Sequence, residues 1–105
     1  MAGYPKLVRD RIPEIIRQRG QTPVTHVAGD AEFLAALKAK VVEEAEELRT
    51  ATGAVEIEEV ADVLEVLRAL ADALGISWAT IEEKTAGKAA ARGGFTKRII
   101  VERVE

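Results

Sequence analysis

Apolar residues recur every three or four positions over two long stretches of the chain, which is the period of an amphipathic helix. The first stretch begins at Asp30, a good N-cap, and reaches about Arg49. Its apolar stripe comprises Leu34, Leu37, Val41, Ala45 and Leu48. The second runs from about Val55 to Leu74, and Gly75 follows as a natural C′ residue. Because few residues connect the two stretches, we predict that they pack as an antiparallel helix hairpin.

Two shorter helices are predicted on either side of this hairpin. Asp10 can cap a helix that stops at Gly20. Ser77 can cap a fourth helix that runs towards Ala91, before two glycines break the chain. The sequence therefore predicts four helices.

The segments outside the helices contain β-favouring residues. Residues 21–29 read as an extended connector, and residues 96–104 include a run of Ile and Val, so a small two-stranded β ribbon is suggested between them. Such a ribbon needs helices behind it to be stable. The expected fold class is all-α: an antiparallel helical bundle around a long helix hairpin, with this ribbon, in a single domain over residues 1–105.

The composition narrows the kinds of protein that this chain can be. Hydrophobic residues make up 48% and aromatic residues 4%, so the core must be filled by small and aliphatic side chains. An isolated monomer built from slim helices with few large side chains would have only marginal stability, so we expect a homo-oligomer. The absence of cysteine excludes disulfides and thiolate metal sites.

The chain has no sequence signal for secretion or for a membrane. Its first residues lack the apolar core of a signal peptide, and no stretch approaches the roughly 20 apolar residues that span a bilayer. A cytoplasmic protein without a membrane partner is the expectation. Nucleic-acid binding is not expected, because the net charge is −3 and clustered exposed aromatics are absent from the sequence.

Acidic residues are concentrated in the middle of the chain. Nine acids and one base lie between residues 43 and 65, whereas the last 22 residues are rich in lysine and arginine. An acidic middle with a basic tail suits an anionic ligand that is bridged by cations. Two solvated helix faces are the alternative explanation.

Helical geometry brings five of these acids near the predicted core. Glu44 lies at the edge of the apolar stripe of the second helix, with Glu47 and Glu43 on the same side. Glu59 falls inside the margin of the apolar face of the third helix, with Asp62 beside it. A carboxylate at such a position costs several kcal/mol unless a partner compensates it.

The compensating partner could be a basic side chain or a metal ion. A lysine or arginine from a neighbouring helix would make a structural salt bridge, whereas several converging carboxylates favour a divalent cation. Oxygen ligands without cysteine, and with a remote His26, indicate Mg²⁺ or Mn²⁺. Wide separation of Glu44 and Asp62, or a separate lysine or arginine for each, would count against an enzyme.

The acidic pattern resembles that of a known superfamily. Residues 43–47 (EEAEE) and 59–62 (EVAD) are similar to the EExxE and ExxD motifs of the MazG-like all-α nucleotide pyrophosphohydrolases. Residues 4–16 (YPKLVRDRIPEII) and 92–99 (RGGFTKRI) resemble both ends of a small branch described as phosphoribosyl-ATP pyrophosphohydrolase-like. The likeness covers nearly the whole chain.

This resemblance implies a function and a set of site residues. The metal ligands and catalytic carboxylates would be Glu43, Glu44, Glu47, Glu59 and Asp62. The reaction would be Mg²⁺-dependent hydrolysis of a nucleoside triphosphate to the monophosphate and pyrophosphate, including removal of non-standard nucleotides, in a dimer or tetramer. The alternatives are hydrolysis of phosphoribosyl-ATP in histidine biosynthesis, and a non-catalytic helical module that uses the acids for metal-linked assembly.

Phosphate groups would need cationic partners outside the acidic helices. Lys6 and Arg9 lie three residues apart near the N-terminus. A second set recurs every four residues along the fourth helix and continues beyond it: Lys84, Lys88, Arg92 and Lys97. These six residues are the candidates for substrate binding, and a solvated basic face is the alternative for each of them.

Overall fold

The computed structural model describes residues 3–105 as four α-helices joined by irregular segments. They are α1 (Ile12–Gln18), α2 (Asp30–Thr50), α3 (Val55–Ala73) and α4 (Trp78–Arg92). The predicted all-α class is confirmed for this part of the chain. Across residues 3–105, none of the helices is long and apolar enough to cross a membrane.

The helix ends agree with the sequence predictions at some positions and differ at others. Ser77 caps α4, because its Oγ accepts a hydrogen bond from the backbone N–H of Thr80 at 3.2 Å. Asp30 is the first residue of α2 and makes no cap, although its charge still suits the positive end of the helix dipole. The predicted cap at Asp10 is also wrong, since Arg11 occupies the N-cap position of α1 without a side-chain cap bond.

The predicted two-stranded ribbon is not formed. Within residues 3–105, no strand is assigned, and both 21–29 and 96–104 are irregular. The apolar side chains that suggested the ribbon are exposed, with Val24 at 98% and Ile100 at 83%. Each segment thus lacks the apolar surface that a two-stranded ribbon needs beneath it.

The chain divides into two compact units, Met1–Gly75 and Ile76–Glu105. In the first unit α2 and α3 pack against each other, and residues 51–54 connect them. The second unit contains α4 and the C-terminal segment.

The packed side of α2 differs from the predicted apolar stripe at one position. Leu37 is buried, whereas Ala45 is exposed and Glu44 is buried instead, at 7% exposure. The prediction that Ala45 lies in the buried stripe was wrong. α2 is rotated so that Glu44 is buried instead, and leaving the methyl group of Ala45 in water costs little free energy.

The packed side of α3 is rotated away from its most apolar residues. Glu59 and Asp62 are half-buried, whereas Ile57 and Val60 are 76% and 53% exposed. The packed side of α3 therefore carries carboxylates, and part of the apolar face of this helix is left in solvent. This rotation positions the acidic residues described next.

Candidate functional site

Five carboxylates converge between α2 and α3. They form two groups, one of Glu43, Glu44 and Glu47 and the other of Glu44, Glu59 and Asp62, and within each group one oxygen per residue lies within 4.8 Å of the others. Glu44 belongs to both groups. The structure therefore brings together all five acids that the sequence singled out, and we call them the acidic cluster.

Helix geometry explains how each helix contributes to the acidic cluster. On α2, spacings of three and four residues place Glu43 and Glu44 on the same side as Glu47. On α3, Glu59 and Asp62 are three residues apart and project from the half-buried side. Packing of α2 against α3 then joins the two sets.

Two oxygens of the acidic cluster lack a hydrogen-bond partner. Glu44 Oε2 and Glu59 Oε2 are buried, and neither receives a hydrogen bond from the protein. A buried polar atom without a partner costs about 1–3 kcal/mol, and more if it carries charge. These two atoms come from different helices, so their arrangement fits a ligand that bridges α2 and α3.

Two lysines contact the α2 side of the acidic cluster. Lys40 Nζ lies 3.2 Å from Glu43 Oε1 and 3.4 Å from Glu44 Oε1. Lys6 Nζ lies 3.8 Å from the same oxygen of Glu43. One carboxylate oxygen is therefore shared between two ammonium groups, while the second oxygen of Glu44 is left without one.

Arg9 contacts the α3 side of the acidic cluster. Its Nη2 donates to Asp62 Oδ1 at 2.8 Å, and its Nη1 donates to Glu65 Oε1 at 2.6 Å. The hydrogen bond to Glu65 is the main cause that raises the pKa of Arg9, and the negative charges of Glu65 and Asp62 add to it. Arg9 thus remains charged and links the N-terminal segment to α3.

The environment of Glu44 disfavours its charged form. Loss of hydration on burial raises its pKa above the ordinary value, and repulsion from Glu47 and Asp62 acts in the same direction. The charge and hydrogen bond of Lys40 oppose this shift without cancelling it. A single lysine therefore compensates the acidic cluster only in part.

A separate basic residue for each of Glu44 and Asp62 would count against an enzyme, and the observed ion pairs match this arrangement in part. Glu44 and Asp62 are close together, yet each has a basic neighbour, Lys40 and Arg9 respectively. Both basic residues are shared with a second carboxylate, and Glu44 Oε2 is still unpartnered. The pairs therefore leave the acidic cluster under-compensated.

Sequence reasoning missed two residues at this site. Lys40 was not considered, although it lies three and four residues before Glu43 and Glu44, a spacing that favours helical ion pairs. Glu65 was not among the predicted site residues. It is exposed, but it lies three residues after Asp62, so the two can bind the two arms of one guanidinium.

Two grooves adjoin the acidic cluster. The larger, about 780 Å³, is bordered by Arg9, Phe33, Glu44 and Asp62, among others. Its volume is in the range of small-molecule sites.

The smaller groove, about 580 Å³, is bordered by Glu43 and Glu47. Lys6 and Lys40 border both grooves. Both grooves beside the carboxylates are thus bordered by basic side chains.

The remaining predicted phosphate ligands belong to the second unit. Lys84, Lys88 and Arg92 lie on α4 at intervals of four residues, and all three are exposed. Lys97 is exposed in the irregular segment that follows. Their role in binding phosphate stays a prediction.

Comparison with known proteins gives one partial match. A protein of Mycolicibacterium smegmatis, described as an uncharacterized protein, is 59% identical over 46 residues, which are 44% of this chain and 47% of that relative. The match thus spans about half the length of the curated relative. No protein-family model matches the chain. No solved structure matches it either.

Proposed function

We propose that the chain is a Mg²⁺-dependent nucleotide pyrophosphohydrolase that cleaves a nucleoside triphosphate into the monophosphate and pyrophosphate. The observation that carries this proposal is the pair of buried, unpartnered oxygens of Glu44 and Glu59, which lie on different helices within the acidic cluster. A divalent cation would give both oxygens a partner and reduce the repulsion around them. The resemblance of the two acidic motifs to MazG-like enzymes supplies the reaction class.

The chemistry of the donors supports Mg²⁺, with Mn²⁺ as a substitute. All five side chains offer carboxylate oxygens, which hard cations prefer. Glu44, Glu59 and Asp62 would hold the ion between the helices, with Glu43 and Glu47 beside them. When bound, Mg²⁺ supplies Lewis-acid stabilisation of charge on phosphoryl oxygens.

The basic residues around the acidic cluster support a phosphorylated substrate. Lys6 and Arg9 contact members of the cluster, so a polyphosphate bound there would lie within reach of both. Lys84, Lys88, Arg92 and Lys97 are proposed as further phosphate ligands. We place this activity in the cytoplasm, where nucleotides and Mg²⁺ are abundant.

A dimer or tetramer is part of the proposal. Exposed apolar side chains on α3, including Ile57, Val60 and Leu64, support burial against a second copy. A bundle completed in this way would cover the face that the helix hairpin leaves in solvent.

Activity is tested by incubating the full chain with Mg²⁺ and a panel of canonical and modified nucleoside triphosphates, together with phosphoribosyl-ATP. We expect monophosphate and pyrophosphate as products from at least one triphosphate. Preferred turnover of phosphoribosyl-ATP would assign the chain to that reaction instead. Release of inorganic phosphate without pyrophosphate would contradict cleavage at the α–β bond.

Matched variants test the site. Glu44→Gln and Asp62→Asn should each lower turnover at least about 100-fold, because each removes a charged ligand. Glu58→Gln is the control, since Glu58 is an exposed carboxylate on α3 that lies outside the acidic cluster and both grooves. Turnover like that of wild type in both site variants would reject the assigned residues.

The ion pairs of Glu44 with Lys40 and of Asp62 with Arg9 favour a second candidate, a non-catalytic module that uses the cluster for metal-linked assembly. This candidate predicts that Mg²⁺ raises the melting temperature while no substrate releases pyrophosphate. The substrate panel and a thermal melt with and without Mg²⁺ therefore separate the two functions.

A further inference from the structure

Lys40 has an unusual position among the basic residues of the first unit. Its side chain is 16% exposed, and the two carboxylates that it contacts, Glu43 and Glu44, both belong to the acidic cluster. Its ammonium group therefore already compensates part of the negative charge that a metal ion would meet on these two carboxylates.

The charges around Lys40 show that it compensates the carboxylates incompletely. The acidic cluster and Glu65 provide six carboxylates, and three basic residues, Lys6, Arg9 and Lys40, form ion pairs with them. With every group ionised, this set carries a net charge of −3. A divalent cation has twice the charge of an ammonium group and can bind several carboxylates at once. It should therefore compete with Lys40 for these carboxylates, starting from the Glu44 oxygen that Lys40 does not contact.

Arg9 differs from Lys40 in having a partner outside the acidic cluster. Its Nη1 donates to Glu65 at 2.6 Å, a bond that can persist when Asp62 turns towards a metal ion. Lys40 has no such second anchor among its ion pairs, since both of its partners are candidate ligands. Entry of a cation should thus release Lys40 and leave Arg9 in place.

We propose that Lys40 acts as a resident cation of the acidic cluster, which Mg²⁺ displaces and which then binds the polyphosphate of the nucleotide. The proposal rests on the function proposed above and adds a substrate-binding residue to it. Lys40 borders both grooves beside the cluster, so its flexible side chain can leave the carboxylates without leaving the site. Through this exchange, binding of the metal ion frees the ammonium group of Lys40 to bind phosphate.

Chemical labelling of lysine in the wild-type protein tests this exchange directly. An amine-acylating reagent, read out by mass spectrometry, should modify Lys40 slowly without metal, several-fold faster with Mg²⁺, and slowly again with Mg²⁺ and an α,β-methylene triphosphate. Lys38 is exposed on the same helix and serves as the internal control, with one rate in all three conditions. An unchanged rate at Lys40 on addition of Mg²⁺ overturns the displacement. A faster rate that the nucleotide analogue does not reverse overturns the phosphate role.

A substitution provides an independent measurement. Lys40→Met keeps the length of the side chain and removes the competing charge, so calorimetric titration with Mg²⁺ should show binding about tenfold tighter, the change expected from a difference of about 1.4 kcal/mol. Binding of the nucleotide analogue with Mg²⁺ should weaken in the same variant. Lys40→Arg should restore both values towards wild type, and Lys38→Met should change neither.

These readouts separate the proposal from the enzymatic function. Tighter Mg²⁺ binding by Lys40→Met in a protein that hydrolyses no nucleotide would support the exchange and reject the enzyme. Equal or weaker Mg²⁺ binding by Lys40→Met in an active enzyme would reject the exchange alone.

Discussion

At the scale of single residues, Glu44 determines much of the behaviour of the site. Its pKa lies above the usual 4.5 because burial and neighbouring carboxylates disfavour the charge. The folded protein therefore binds a proton at Glu44 more tightly than the unfolded chain does. Stability of the metal-free protein should fall as the pH rises from about the ordinary glutamate pKa through the raised pKa, and the penalty is complete above the raised value.

Glu44→Gln tests this reasoning. The amide carries no charge and can donate to neighbouring carboxylates, so without divalent cations the variant should be more stable than wild type at neutral pH, by roughly 1 kcal/mol. With saturating Mg²⁺, wild type should gain stability and the variant little. Urea unfolding across the pH range, with EDTA or with Mg²⁺, measures both effects. A variant less stable than wild type in EDTA at neutral pH would contradict the account of Glu44.

Glu65 is expected to tune metal binding through Arg9. Removing its charge with Glu65→Gln weakens the second anchor of Arg9, which then competes more strongly with a metal ion for Asp62. Exposed ion pairs are worth about 0.2–1 kcal/mol, so Mg²⁺ affinity should fall by no more than about fivefold. Glu58→Gln, at an exposed position on the same helix, is the control in the calorimetric titration. An affinity raised by Glu65→Gln would show that Arg9 does not compete for Asp62.

The sequence predicted the acidic cluster better than its ion pairs. Residue spacing alone placed Glu44 near the core and Glu59 on an apolar margin, and both predictions depend only on helix geometry. The contact between Arg9 and Asp62 joins residues 53 positions apart, and no periodic pattern carries that information. The spacing of three residues between Lys40 and Glu43 does indicate their ion pair, but lysine on an acidic helix is usually a solvated residue.

At the scale of secondary structure, the packing of α2 against α3 depends on few side chains. Leu37 is 3% exposed, and Leu37→Ala should lower the free energy of unfolding by about 2–4 kcal/mol, because the cavity left between the helices cannot fully collapse. Val42, which is 64% exposed on α2, provides the matched control, and Val42→Ala should change stability by less than about 0.5 kcal/mol. Urea unfolding followed by circular dichroism checks both. Equal effects at the two positions would place the packed side of α2 elsewhere.

Sequence reasoning located the helices well and their rotation less well. Periodicity and Gly75 fix where α3 begins and ends within a residue or two. Ile57 and Val60 belong to the apolar period of this helix, yet both are exposed, whereas Glu59 and Asp62 are half-buried. Hydrophobicity locates the most apolar arc of a helix, but it does not specify whether that arc meets a helix of the same chain or is left for another surface.

At the scale of the whole molecule, the number of buried apolar side chains is small. In the part of the chain that the structure describes, Leu37 and Ala71 are the apolar residues that are buried. A domain of about this size usually buries close to two thirds of the surface of its unfolded chain. A second copy packed on the exposed apolar residues of α3 would supply the missing burial, in line with the proposed oligomer.

Leu64→Glu tests where the second copy binds. Leu64 is 42% exposed on α3, and burying a leucine contributes about 1.5–3 kcal/mol. In a two-fold symmetric dimer the substitution occurs twice, so a charge at this position should dissociate the wild-type oligomer into monomers in sedimentation velocity. Glu58→Ala, on the same helix, should leave the oligomer unchanged. Wild-type protein that sediments as a monomer at high micromolar concentration would contradict self-association. A Leu64→Glu variant that remains oligomeric would assign the contact to another surface.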